Sequence, residues 1–121
     1  MERKIEKFED LIVWKESMSL AVEIYRSVID WRDFGLKSQI QKSAVSIPSN
    51  IAEGFERQTN KEFIQYLYIA QGSCGELRTQ LYLAVKLKHF DSQTGSDYIQ
   101  RTQQISAMIH GLIKTRKRKF N

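Results

Sequence analysis

Apolar residues recur at steps of three and four along most of this chain, and its one proline falls inside such a run. That period belongs to helices. Residues 39–57 show it most clearly, with an apolar stripe of Ile40, Ala44, Ile47, Ile51 and Phe55 beside a polar one of Ser43, Ser46, Asn50, Glu53 and Arg57. One face packs and its neighbour stays polar. Pro48 has no N–H to offer the carbonyl of Ala44, so the spacing predicts an internal bend or a restart there, with Ser46, Ser49 or Asn50 redirecting or capping the break.

The remaining segments repeat the pattern. Leu11, Trp14, Met18, Ala21, Tyr25 and Val28 form the expected core stripe of a first helix, which Asp30 to Gly35 ends. A second helix runs from about Leu36 to near Arg57. Thr59 and Glu62 fit a capping box that starts a third, whose core stripe is Phe63, Leu67, Ala70, Cys74, Leu77, Leu81 and Ala84, ending near His89. Asp91 to Asp97, with Gly95, reads as the next connection. Tyr98, Thr102, Ile105, Ile109 and Leu112 then mark a fourth helix. The expectation is an all-α, antiparallel up-down-up-down four-helix bundle in a single domain over residues 1–121, with 114–121 a basic C-terminal tail. Glycine weakens a helix, so Gly54, Gly72 and Gly75 are expected where helices approach closely.

Two helices carry more apolar surface than one stripe explains. Ile64, Tyr68, Gly75, Tyr82 and Val85 lie beside the third helix's stripe, and Val13, Leu20, Ile24 and Trp31 beside the first one's. Either the core face is broad or a subunit interface covers the excess.

The run Ser46-Ile47-Pro48-Ser49-Asn50-Ile51-Ala52-Glu53-Gly54, with Arg57 after it, resembles the signature of a bacterial four-helix-bundle family encoded in intervening sequences of large-subunit ribosomal RNA genes. Phe8, Leu11, Val13 and Trp14, then Gly35-Leu36, then Ala70, Gly72-Ser73 and Glu76-Leu77 match in order. The resemblance assigns Pro48, Asn50, Glu53, Gly54 and Arg57 to a family motif of structural role. It implies a homo-oligomer, a ring-shaped pentamer. It also extends to the accessory protein of diversity-generating retroelements, which implies RNA or DNA and a reverse transcriptase as partners. Gln41 departs from the family's paired cations, leaving Lys42 alone, and loop 30–35 lacks the usual proline.

Charge is the other informative feature. Of 19 Lys and Arg, five stand at Lys114, Arg116, Lys117, Arg118 and Lys119 with no acid among them, and the other 14 balance the 14 acids. This cluster, with Lys42, is the candidate nucleic-acid contact, since Lys and Arg displace counterions from phosphates. The same cations could equally serve the dipole at the end of the fourth helix. Phe120 is the one aromatic in the cluster, so base stacking there is poorly provided for.

Catalytic chemistry finds little material. His89 and His110 have no carboxylate or cysteine at ligand spacing, so no metal is expected. Cys74 falls on a core stripe and reads as packing, a lone thiol that suits a reducing compartment. No catalytic site and no cofactor are expected. No apolar run reaches the roughly 20 residues of a membrane span, and the chain reads as cytoplasmic. Two functions compete: a non-enzymatic, oligomeric nucleic-acid-binding accessory protein, or a structural or protein–protein interaction module working through the polar stripe at Asn50 and Glu53 or through the rim of the oligomer.

Overall fold

The computed structural model describes residues 4–120. A 3-10 turn, Phe8–Asp10, leads into four helices: α1 (Ile12–Ser27), α2 (Phe34–Phe55), α3 (Asn60–Lys86) and α4 (Ser92–Phe120). Each helix packs on its neighbours in chain order and α4 returns to α1, while the diagonals α1–α3 and α2–α4 do not touch. Bonded pairs such as Ser43–Glu76 and Ser46–Ser73 advance in one helix as they recede in the other, as antiparallel neighbours must. The expected up-down bundle is the fold.

The helix ends follow from local chemistry. Asp33 caps α2 by accepting the Leu36 N–H at 3.2 Å, and Thr59 Oγ1 caps α3 by accepting that of Glu62 at 3.1 Å. Glu62 itself binds Arg57 Nε at 2.9 Å and the Thr59 hydroxyl at 3.0 Å. At the end of α3, Lys88 adopts a left-handed conformation with φ 63°. The N–H of His89 then reaches Ala84 O at 2.9 Å and that of Lys88 reaches Val85 O at 3.0 Å, a Schellman ending with lysine where glycine is usual. Asp91 Oδ1 accepts the Thr94 N–H at 2.7 Å. The run from Asp91 to Asp97 is therefore the cap and first turns of α4, not a connection. Gly95 is there because α4 crosses α3 so closely that a Cβ would collide with Val85.

Pro48 does not restart the chain: α2 continues as one helix through it. Its ring is buried toward α1. Asn50 Nδ2 donates to Ser46 O at 2.8 Å and to Ser46 Oγ at 2.9 Å, adding bonds one turn along.

The core stripe expected for α3 is buried throughout, from Phe63 to Ala84. In α1 the expected stripe is half right. Leu11, Ala21 and Val28 are buried as expected, but Val13, Leu20 and Ile24 fill the rest of the core, while Trp14 and Met18 are half-buried and Tyr25 is exposed. The two apolar stripes of α1 lie about 100° apart, and the aliphatic one, free of polar tips, takes the dry side. Trp14, Met18, Val22 and Tyr25 instead border an apolar groove with Val45, Pro48 and Ala52 of α2, a cavity of about 390 Å³.

Candidate nucleic-acid interface

The basic cluster is helix rather than tail. α4 runs to Phe120, whose side chain lies outside the described residues with residue 121, so the cations of 114–119 stand on its last two turns. Two of them fold back on α3. Arg116 Nε donates to Asn60 Oδ1 at 2.8 Å, Asn60 Nδ2 donates to Arg116 O at 3.1 Å, and the guanidinium sits 5.0 Å from the Phe63 ring centre. Burial lowers its pKa, yet a guanidinium stays charged at neutral pH. Lys117 Nζ donates to the Tyr68 hydroxyl at 2.7 Å. Lys114, Arg118 and Lys119 are exposed.

Lys42 does not join them. It is exposed on α2 beside the Ser43–Glu76 pair, whereas Lys117 and Arg116 of α4 reach Tyr68 and Asn60, roughly 12 and 24 Å away along α3 by helical rise.

The charge has a wider pattern than the cluster. Residues 63–121 hold nine cations and three acids, and residues 1–62 ten cations and eleven acids. The three acids, Glu76, Asp91 and Asp97, are engaged: Glu76 accepts from Ser43 on α2 at 2.8 Å, Asp91 caps α4, and Asp97 accepts from Gln93 beside Glu23 and Arg101. Arg101 is spent on Glu23 of α1. What remains on the outer side of α3 and the adjoining side of α4 is Lys61, Arg78, Lys86, His110, Lys114 and Lys117, with Gln65, Gln71 and Gln103 between them. Glu76, exposed at its α2 edge, is the one described acid that borders this face. A net count could not show this, because it depends on which turns of α3 and α4 point outward.

The polar stripe of α2 is a seam rather than a surface. Ser43 and Ser46 bond Glu76 and Ser73 at 2.8 Å each, and Tyr66 OH donates to Glu53 Oε1 at 3.3 Å. Arg57 pairs with Glu62, not Glu53, and lies 5.6 Å from the Tyr66 ring centre. Small hydroxyls let α2 and α3 approach while Ser43 and Ser46 keep hydrogen-bond partners across the seam. At the C-terminal end of this seam Gly54 does the close-approach work expected of it, since a Cβ there would stand 2.5 Å from Tyr66 Cβ. Gly72 and Gly75 do not: nothing lies within 4 Å of a Cβ at either.

The histidines are apart. His89 Nε2 binds Asp33 Oδ2 at 2.9 Å and its ring lies 5.0 Å from that of Trp31, tying two loops together; His110 is exposed. Among the described residues no three His, Cys, Asp or Glu side chains are grouped to hold a metal. Cys74 is buried, which pushes its thiol up to about 12, so it is no thiolate at neutral pH. No described helix is long and apolar enough to cross a membrane.

Comparison with known proteins adds a lineage. A family model described as 23S rRNA-intervening sequence protein matches residues 9–111. The α3 face lies inside that span and the cluster at 114–119 beyond it. No curated protein matches. A crystal structure from Bacteroides thetaiotaomicron, of a protein with unknown function from the S23 ribosomal protein family, is similar with a TM-score of 0.80 at 26% identity, covering 85% of this chain and 99% of that one.

Proposed function

The chain belongs to the 23S rRNA-intervening sequence protein family, and from that premise we propose that it is a non-enzymatic, homo-oligomeric bundle that binds RNA or DNA through the phosphate backbone. The observation that carries this reading is the cation-rich face of α3 and α4, which continues into the cations on the last turns of α4. Such a face gathers phosphates by counterion release and reads no sequence by itself. Assembly into a ring, a homopentamer by family resemblance, would repeat the face and multiply its field. The apolar groove between α1 and α2 is the surface that supports assembly. A reverse transcriptase partner rests on the resemblance alone.

The interaction-module alternative keeps Glu53, which is exposed, and the rim of the oligomer, while Ser43, Ser46 and Asn50 are engaged within the chain.

The test is binding of RNA and DNA by the full chain across a salt series. Ending the chain at Ile113 would also remove the Arg116 and Lys117 contacts to α3, so Lys114, Arg118 and Lys119 are better neutralised to Gln. The full chain should bind with affinity that falls as salt rises, and the triple variant more weakly. No binding at low salt refutes the proposal.

A further inference from the structure

Lys61, Tyr68, Gly75 and Tyr82 succeed one another at intervals of seven residues, two turns each, so they stand nearly in line on the side of α3 away from the core. Tyr68 and Tyr82 are 47% and 50% exposed, about 21 Å apart along the helix. Between them the backbone is bare. Neither Gly75 nor its neighbour Gly72 has any atom within 4 Å of a Cβ position, so nothing in the chain itself calls for glycine in the middle of this helix. Cations surround the line: Lys61 and Lys86 toward its ends, Arg78 alongside, and Lys117 bonded to the Tyr68 hydroxyl. Of the two acids of α3, Glu62 is turned to Arg57, and Glu76, exposed one turn from Gly72, is drawn toward α2 by its bond from Ser43.

We infer that this line is a platform for single-stranded nucleic acid, with bases stacked on Tyr68 and Tyr82 and the sugar–phosphate chain crossing the bare helix at Gly72 and Gly75. The inference rests on the phosphate-binding reading above and adds the class of ligand. A duplex keeps its base faces inside its own stack, so exposed rings offer it nothing, whereas a single strand presents a face at every base. Charge complementarity selects the polyanion over a second copy of the same face. Two such faces together would oppose Lys61, Arg78 and Lys86 with like cations, against the single carboxylate of Glu76 at the edge.

The experiment is fluorescence anisotropy of the full chain with two probes, an oligouridylate of about twelve nucleotides, within the usual site sizes, and an RNA duplex of equal length. The oligouridylate should bind more tightly than the duplex. Tyr82→Ala should weaken the single strand by roughly tenfold, leaving duplex binding and the salt dependence unchanged. Gly75→Leu should also weaken the single strand while melting no lower than the parent, because its side chain enters open space. If the parent binds both probes and the two variants bind like it, the platform is wrong and the phosphate reading stands. If the parent binds neither probe at low salt, both fail. If the variants lose binding together with a change in oligomeric mass by sedimentation, the line is a contact between copies and the inference is overturned.

Discussion

Gly54 and Gly75 are both helical glycines, yet the same substitution should move stability in opposite directions. At Gly54 an alanine Cβ would lie 2.5 Å from Tyr66 Cβ, 3.1 Å from Phe63 Cδ1 and 3.3 Å from Phe63 O. The first and last of these are fixed to the α3 backbone, so no rotamer change relieves the clash and α3 must shift from α2. That places Gly54→Ala near the upper end of overpacking costs, about 3 kcal/mol. Alanine's better helix propensity returns about 1 kcal/mol, for a net loss of about 2 kcal/mol. Gly75→Ala meets nothing, so it keeps the full gain of about 1 kcal/mol. For a chain of this size 1 kcal/mol moves Tm by about 4 °C, so calorimetry should find Gly54→Ala lower by about 8 °C and Gly75→Ala higher by about 4 °C. Urea melts should agree in sign. If Gly54→Ala is as stabilising as Gly75→Ala, the close approach of α2 and α3 at this turn is wrong.

Two further outcomes rest on the helix ends. Lys88→Gly should stabilise by about 1 kcal/mol in urea melts, because glycine removes the left-handed penalty at φ 63° and no side-chain contact is lost with it; destabilisation would mean that the lysine side chain is needed. The Asp33 carboxyl is held below its usual range, chiefly by the hydrogen bond from His89 and then by the Leu36 N–H. Its folded pKa is depressed, so its contribution is present above the usual carboxylate pKa of about 4 and lost as pH falls through the lowered value. Asp10, Glu62 and Asp91 behave alike, with the Glu6 N–H, the Arg57 guanidinium and the Thr94 N–H as their largest causes. Asp33→Asn should therefore flatten the acid limb of stability below about pH 4 in pH-dependent melts. An unchanged acid limb would refute the Asp33–His89 link.

What could be read from the sequence depended on how many rival faces a helix offered. In α3 one stripe is wholly apolar, while the rival sides mix Tyr68, Tyr82 and Leu83 with Lys61, Gln65, Gly72 and Glu76, so period alone places Phe63 to Ala84 in the core. In α1 both Val13–Leu20–Ile24 and Trp14–Met18–Tyr25 keep helical spacing, and only packing against α2 and α4 ranks them. The start of α4 was hidden because Asp91, Ser92, Gln93, Thr94 and Gly95 have the composition of a loop, while the close approach that Gly95 serves is a tertiary fact. The cations at 114–119 were visible as a run, but not that Arg116 and Lys117 lie on α3. Lys61, Arg78 and Lys86 went unnoticed, being scattered in sequence and joined only by pointing the same way. The one signal was the seven-residue spacing of Lys61, Tyr68, Gly75 and Tyr82, which lacks any acid.

The most direct test is the slope of log K against log salt for single-stranded RNA, measured for the full chain and for Lys61→Gln/Arg78→Gln/Lys86→Gln. All three side chains are at the surface of α3, so the variant should melt like the parent. If each contacts one phosphate, the slope should become shallower by about 2, at roughly 0.7 per contact on a single strand. An unchanged slope and affinity would show that the cation-rich face of α3 does not meet nucleic acid.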